Sequence, residues 1–361
     1  MSSQARPAPK FLENVWQMAA WSEEVGEPLL FRRLAGRKLL ILRKMNGEVA
    51  MLDDRCPHRF APLSLGIRQG DAITCGYHGL CFDLAGECIG NPFSDRIPAG
   101  ARVRAYPVVE RDGIVWFWAG DPALADSSAI PDFSFLPDSP TNRTLRGYTL
   151  EAQYEFGTDN LRDLSHIEFV HKGSFAGNGV IFAGKHEVRQ DGDTLHSNWW
   201  MSDIAAPPHT QGIYPPDMRC DHWLDMRWSA PASMYLQVGG TPAECPRDEG
   251  VMAHQAHILT PETDGTTHYF WASTRSNALD SPEMDEMLKS LFGQAFDEED
   301  KPIIKAAFDN IEGADFWDCQ PVFLGIDAGG TRARRLVQTM LAAEAVTARQ
   351  GGRELPLEDA R

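Results

Sequence analysis

The sequence predicts an α+β protein of two domains, an all-β domain over residues 1–125 followed by an antiparallel-sheet α+β domain over residues 126–361. Three observations support this fold class. A chain of 361 residues is long enough for two separate cores. Up to about Gly120 the chain consists of short β-rich runs broken by turn residues. Beyond that point strands and helices mix without regular βαβ alternation, which favours an antiparallel arrangement.

The N-terminal part contains four runs that we predict as strands, at residues 38–43, 48–52, 101–109 and 113–120. Asn46-Gly47 separates the first two runs, and this dipeptide is typical of a two-residue hairpin turn. We therefore expect a small all-β unit that contains a hairpin at this turn.

The C-terminal part follows a segment rich in Asp, Ser, Ala and Pro, residues 121–140, which we interpret as a linker. A helix is predicted over about residues 159–171, and further helices begin near Ser281 and Asp327. The predicted strands of this part are residues 194–201, 233–239, 251–259 and 267–273.

Composition and charge exclude several classes of protein. The chain has 51 acidic against 34 basic residues, a formal net charge of −17, which repels nucleic acids and anionic membrane surfaces. Its first ten residues are polar, and no run approaches the roughly 18 apolar residues of a membrane span. Seven cysteines are an odd number, which argues against a disulfide framework. We expect a cytoplasmic protein without membrane or nucleic-acid partners.

Two short Cys/His motifs predict one metal centre. Cys56-Pro-His58 and Cys75-Gly-Tyr-His78 each place a histidine two or three residues after a cysteine. Two thiolates and two imidazoles are the ligands of a Rieske [2Fe–2S] cluster, in which the neutral imidazoles make one iron easier to reduce. The alternative is a zinc site, although zinc modules usually pair Cys with Cys and His with His.

These motifs resemble the cluster loops of Rieske non-haem iron oxygenases. The resemblance covers residues 56–66 and 75–79 and the strand at 113–118, and it is strongest to the oxygenase (alpha) subunits of the vanillate and dicamba O-demethylase group. It implies an N-terminal Rieske [2Fe–2S] domain and a catalytic domain of the helix-grip, START-like type that holds a mononuclear Fe(II).

Residues 160–171 carry the second candidate site. Asn160, Asp163 and His166 are spaced three apart, so one face of a continuous helix would present all three. Such a polar stripe is costly to bury unless it binds something. His171 lies five residues after His166, about 140° around a regular helix. Both histidines can reach one metal only if the helix has a π-bulge or ends near Val170.

The resemblance implies that His166 and His171 belong to a 2-His-1-carboxylate triad for Fe(II). The family pattern places its acid at the Asp of Glu-Asp-Lys, which is Asp300 here. Asp300 also lies on an apolar helical stripe, and Asp297 shares that predicted face as the alternative.

The resemblance further implies a route for electrons. Asp163 would bridge His166 to His78 of a neighbouring subunit, which requires a closed ring, usually a homotrimer. Asp163 can instead orient His166 within one chain, and both roles can coexist. With Asn160 it is our candidate for a catalytic role. No nucleotide-binding or flavin motif is present, so a separate NAD(P)H-dependent reductase, with or without a ferredoxin, must supply electrons.

Substrate contacts are predicted from two strands. His257 resembles a pocket-lining position of the O-demethylases, and strand alternation places Gln255 on the same face. Leu236 and Val238 suit an aromatic ring. The function predicted is a monooxygenase that uses O₂ to demethylate a methoxylated, vanillate-like aromatic acid and releases formaldehyde. The alternatives are oxidation of aryl-methyl or N-methyl groups, or an electron-transfer protein with the cluster alone.

Overall fold

The fold was obtained as a computed structural model, which describes residues 10–137, 144–172, 174, 179–206, 213–215, 217–275 and 281–351. These residues form two compact units, one of residues up to Ile130 together with those from Arg335 onward, the other of residues from Pro131 to Arg334. The boundary between residues 125 and 126 that we predict for the two domains stays a prediction. In the parts of the chain that are described, no helix is long and apolar enough to cross a membrane.

The N-terminal unit is built from short antiparallel strands. They form three sheets, with the orders β1-β10-β9, β2-β3-β4 and β5-β6-β7-β8. The strands are β1 (Trp16–Trp21), β2 (Leu30–Leu34), β3 (Arg37–Arg43), β4 (Val49–Asp53), β5 (Ile67–Gln69), β6 (Ala72–Thr74), β7 (Cys81–Asp83), β8 (Cys88–Gly90), β9 (Val108–Arg111) and β10 (Ile114–Trp118).

Strand β3 is apolar on both faces because it separates two cores. Leu39 and Ile41 belong to one core, and Leu40 and Leu42 belong to the other. The second core also contains the buried side chains of Cys56 and Cys75. The predicted hairpin is confirmed, since Arg43 pairs with Val49 and Gly47 adopts a positive φ of 91°.

The second unit contains one seven-stranded antiparallel sheet with the order β11-β17-β16-β15-β14-β13-β12. Its strands are β11 (Thr144–Leu150), β12 (Lys185–Asp191), β13 (Thr194–Ala205), β14 (Arg219–Ser229), β15 (Ser233–Pro242), β16 (Val251–Thr263) and β17 (Thr266–Arg275). The predicted α+β class with an antiparallel sheet is therefore confirmed.

Helices pack against one face of this sheet. They are α1 (Tyr154–Arg162), α2 (Ile167–Val170), α3 (Pro282–Gly293) and α4 (Lys301–Asp309), with α5 (Ala328–Gly351) closing the described chain. Gly157 of α1 packs closely on Leu259 of β16. A π-helical segment, Gln294–Asp300, joins α3 to α4 and packs Phe296 against His257 and Trp271.

The predicted helix over residues 159–171 is wrong in one respect, because it is not continuous. Helix α1 ends at Arg162, and Asp163 leaves the helical region with φ −107° and ψ 81°. A 3₁₀ turn, Leu164–His166, and the short α2 follow. Helix α2 ends at Val170, as one of the two alternatives for this segment required.

Candidate metal centres

The two Cys/His loops share one backbone design. In the first, the N–H of Cys56 donates to Ala61 O at 2.9 Å. In the second, the N–H of Cys75 donates to Leu80 O at 2.8 Å. The residue four positions after each cysteine, Phe60 or Gly79, donates back to that cysteine's carbonyl. The loops are thus two copies of the same turn.

Each turn needs a residue in the left-handed region. Gly79 has φ 72° and Phe60 has φ 60°. A non-glycine residue adopts this conformation at a cost in free energy. The guanidinium of Arg55 lies 4.1 Å from the Phe60 ring centroid and offsets part of that cost by a cation–π contact.

The loops approach each other through glycines. A Cβ on Gly66 would lie 2.4 Å from Thr74 O, and a Cβ on Gly76 would lie 3.0 Å from Leu65 O. Only the missing side chains allow this distance between the two backbones. The sequence therefore brings the two cysteines together by close backbone packing.

The four side chains at this site fit an iron–sulfur cluster. Cys56 and Cys75 are 2% and 3% exposed, and the rings of His58 and His78 lie 4.5 Å apart. Nδ1 of His78 is buried and has no hydrogen-bond partner within the described chain, as expected of a metal ligand. Burial and the adjacent Cys75 thiol raise the pKa of Cys56, whereas the N–H groups of His58 and Arg59 favour its thiolate.

A second group of ligand atoms lies in the unit that contains the seven-stranded sheet, where His166, His171 and Asp300 come together. Nε2 of His166 is 3.3 Å from Nε2 of His171 and 3.5 Å from Oδ1 of Asp300. Nε2 of His171 is 3.3 Å from Oδ2 of Asp300. One ligand atom from each of the three residues lies within 4.8 Å of the other two, close enough for all three to reach one ion about 2.1 Å from each of them.

Asp300 reaches this site from the end of the π-helical segment. It is 3% exposed, whereas Asp297 is exposed. The prediction that both acids share one face is therefore wrong. A π-helix has more residues per turn than an α-helix, so positions three apart move off a common face. Asn160 donates from Nδ2 to Oδ1 of Asp300 at 3.1 Å, which holds the carboxylate in place.

His166 is oriented by a backbone group. Its Nδ1 contacts the carbonyl oxygen of Asp163, which leaves Nε2 facing the other two ligand atoms. The carboxylate of Asp163 instead accepts hydrogen bonds from the N–H and hydroxyl of Ser165. Because the helix breaks at Asp163, the stripe predicted for Asn160, Asp163 and His166 is not one helix face. Burial lowers the pKa of His166, although the nearby Asp300 carboxylate opposes this effect.

His171 is oriented by a carboxylate that sequence reasoning missed. Its Nδ1 lies 2.7 Å from Oε2 of Glu299, the residue directly before Asp300. Ser174 donates to the same oxygen at 2.6 Å. Burial lowers the pKa of His171, but contacts with Asp300 and Glu299 outweigh it and raise the pKa overall. The sequence feature that could have indicated this role is the position of Glu299 directly before the candidate ligand Asp300.

The predicted substrate residues lie on the sheet face that the helices cover. His257 is buried, with Nδ1 2.7 Å from the Tyr269 hydroxyl and Nε2 3.1 Å from Oε1 of Gln255. The expectation that Gln255 shares its face is confirmed. Leu236 pairs with Gln255 across β15 and β16, and Val238 follows on the same face of β15. Burial lowers the pKa of His257 to about 4, so its imidazole is neutral at pH 7.

Comparisons with known proteins match both halves of the chain. The Rieske [2Fe–2S] domain family matches residues 15–107, and the vanillate O-demethylase oxygenase C-terminal domain family matches residues 150–343. The dicamba O-demethylase oxygenase component of Stenotrophomonas maltophilia is 36% identical over 93% of this chain and 99% of that protein. The chloroacetanilide N-alkylformylase oxygenase component of Rhizorhabdus wittichii is 35% identical over 92% and 97%.

The fold agrees with these relatives. A crystal structure of dicamba monooxygenase bound to dicamba superposes with a TM-score of 0.86, at 35% identity over 93% of this chain and 99% of that one. The match to the Rieske domain family decides against the zinc alternative. The match to the oxygenase domain and to oxygenase components decides against a cluster protein without a catalytic domain. The chain belongs to the Rieske monooxygenases, as an oxygenase component with a catalytic domain of the vanillate O-demethylase family.

Proposed function

We propose that this protein is the oxygenase component of a Rieske monooxygenase that demethylates a methoxylated aromatic acid. The observation that carries the proposal is the group of ligand atoms from His166, His171 and Asp300, the two histidines and one carboxylate that non-haem Fe(II) oxygenases use. Relatives named dicamba O-demethylase and vanillate O-demethylase oxygenase subunits support the reaction.

Seven residues are proposed to hold the two metal centres. Cys56, His58, Cys75 and His78 hold the [2Fe–2S] cluster, and His166, His171 and Asp300 hold a mononuclear Fe(II). When bound, the two centres supply electrons and O₂ chemistry at the substrate. The protein itself fixes the ligands: Asn160 holds Asp300 by a hydrogen bond, and the Asp163 carbonyl holds His166. A dicamba monooxygenase crystal structure that contains non-heme iron supports this assignment.

The substrate is proposed to lie against the covered sheet face beside His257. Leu236 and Val238 offer apolar contact to the ring, and the neutral His257 imidazole, held by Tyr269 and Gln255, is proposed to line the pocket beside them. Hydroxylation of the methoxy carbon gives a hemiacetal, which breaks down to a phenol and formaldehyde. The same pocket is proposed to exclude water by its buried aromatic side chains, among them Phe296 and Trp271.

The enzyme is proposed to work as a homotrimer with a separate NAD(P)H-dependent reductase, directly or through a ferredoxin. The names of the relatives, which call them oxygenase components, support a separate reductase.

Asp163 is proposed to bridge neighbouring subunits. An Asp163→Asn enzyme should keep both metal centres and turn over more slowly, and unimpaired turnover would contradict the bridge. A cytoplasmic location remains a proposal from the sequence.

Formaldehyde release tests the proposed reaction. The reconstituted enzyme, with a matched reductase, is given methoxylated, methylated and unsubstituted aromatic acids, and Asp300→Ala serves as the inactive control. Methoxylated acids should yield formaldehyde in step with NAD(P)H oxidation. No formaldehyde from any methoxyarene would contradict the demethylase assignment.

A second candidate is N-dealkylation. The 35% identity to the chloroacetanilide N-alkylformylase oxygenase component favours it, and the toluene-4-sulfonate monooxygenase subunit of Comamonas testosteroni, 34% identical, makes oxidation of an aryl-methyl group the third. An N-alkyl anilide in the same panel separates the second candidate from the first. Oxidation of the methylated acid alone would favour the third.

A further inference from the structure

The carboxylate of Glu299 is fixed at both oxygens beside the second metal site. Oε2 accepts from the Ser174 hydroxyl at 2.6 Å and lies 2.7 Å from Nδ1 of His171. Oε1 accepts from Nε2 of Gln294 at 2.9 Å. The side chain is 16% exposed, and that of His171 is 3% exposed. Three hydrogen-bonding partners therefore hold this carboxylate in one position beside the His171 ring.

The π-helical segment is what makes this arrangement possible. Gln294 and Glu299 are five residues apart, which on an α-helix places side chains about 140° from each other. The i to i+5 repeat of a π-helix brings such residues onto one side, and the whole stretch Gln294–Asp300 is π-helical. Glu299 and Asp300, which are adjacent in sequence, contact different nitrogens of the same His171 ring.

The hydrogen-bond chemistry then fixes the His171 tautomer. An ionised carboxylate can only accept, so Nδ1 of His171 must carry the hydrogen and Nε2 must present its lone pair. Nε2 is the atom that faces His166 and Asp300. His166 has a neutral carbonyl, that of Asp163, at the corresponding nitrogen. The two histidines are therefore anchored by groups of different charge.

We propose that Glu299, held by Ser174 and Gln294, is a positioning residue that fixes the tautomer and orientation of His171 and strengthens it as a metal ligand. This inference rests on the proposed ligand set His166, His171 and Asp300. Carboxylate partners of ligating histidines typically change metal affinity by roughly 10- to 100-fold. Glu299 thus acts through His171.

The test is Fe(II) affinity of the cluster-loaded, full-length enzyme, measured by titration with a competing chelator. Glu299→Ala should weaken Fe(II) binding by roughly 10- to 100-fold, and Glu299→Gln should lose less because its amide oxygen can still accept from Nδ1. The electron paramagnetic resonance spectrum of the nitric oxide adduct of the bound Fe(II) should change in both variants. Glu298→Gln, a change at the exposed neighbouring acid, is the matched control and should bind as wild type does.

The outcomes separate this inference from the proposed function. If Asp300→Ala loses Fe(II) but Glu299→Ala binds it with wild-type affinity and an unchanged spectrum, Glu299 has no positioning role and the proposed ligand set stands. If Asp300→Ala binds Fe(II) as tightly as wild type, the ligand set itself is wrong. Cluster absorbance and the melting temperature of the metal-depleted variants, compared with wild type, show whether a loss arises from misfolding. Weakened binding by a Glu299→Ala protein that melts like wild type supports the proposal.

Discussion

The two metal sites of this chain are built on different principles. The cluster loops are local: their cysteines are held by hydrogen bonds within each loop and by close packing at Gly66 and Gly76. The second site is assembled from distant segments, because His166 and His171 flank the short α2 whereas Asp300 ends a π-helical segment. A local site can be recognised as a motif. An assembled site depends on the whole sheet and its covering helices.

Removing one ligand from each site gives the largest expected effect. Cys75→Ser should remove the cluster and leave about one iron per chain, whereas Asp300→Ala should leave about two, from about three in the wild type. Both variants should lose turnover, because each lacks one of the two centres. Iron and acid-labile sulfide analysis measures the outcome. Asp297→Ala, at an exposed acid nearby, is the control and should retain all the iron. Loss of both centres in either variant would show that the sites are not independent.

Packing at the cluster loops gives the next test. The Cβ of Gly66→Ala would meet two backbone oxygens, Thr74 O at 2.4 Å and Leu63 O at 2.9 Å. Such overpacking costs about 1–3 kcal/mol and should separate the loops. We expect lower cluster content with normal binding of the mononuclear iron. In the control, Gly157→Ala, the close contacts are side-chain methyl groups of Leu259 and Leu150, which can move. Full cluster content and an unchanged melting temperature in Gly66→Ala would contradict the packing argument.

The smallest effect concerns acid sensitivity of the sheet that carries the assembled site. Burial lowers the pKa of His222, on β14, to about 4, and its Nδ1 bonds Gly239 O at 2.6 Å. The unfolded chain, with a pKa near 6.5, binds the proton more tightly, so this contribution to stability is complete above pH 6.5 and is lost as the pH falls toward 4. Between pH 7.5 and 5 the loss is about 2 kcal/mol.

Urea unfolding at the two pH values measures this loss. His222→Gln can keep the bond to Gly239 O but cannot titrate, so its free energy of unfolding should fall less than that of the wild type. An equal fall in both proteins would exclude His222 as the cause. The cluster absorbance followed in the same experiment shows whether the N-terminal unit responds separately.

The difference between local and assembled sites also explains what the sequence could predict. Cys56, His58, Cys75 and His78 stand in two short motifs that need no tertiary information. The pairing of His166 with His171 was implied by the family resemblance, and their spacing added that it requires a helix end or a π-bulge. The break in the helix at Asp163 was not predicted. The carboxylate of Asp163 bonds to Ser165 and its carbonyl contacts His166, and these contacts exist only in the folded turn.

Glu299 shows most clearly why the other contacts of the second metal site could not be predicted from the sequence. In an α-helix Glu299 would lie about 140° from Gln294, its hydrogen-bond partner, and the acidic run around it favours a position in solvent. The π-helical segment instead brings Glu299 to the same side as Gln294. No residue in the acidic run indicates a π-helix. Strand β12 was missed for a related reason, because its sequence is polar and mostly exposed at the sheet edge and lacks apolar alternation.

Strand β3 has a practical consequence for handling the protein. Its alternate side chains enter two cores, and only one of those cores contains Cys56 and Cys75. Unfolding that begins in the core of Leu39 and Ile41 therefore also displaces Leu40 and Leu42, which pack in the same core as the two cysteines. The red-brown colour of a loaded Rieske centre therefore reports whether both cores of the N-terminal unit are folded, before any activity is assayed.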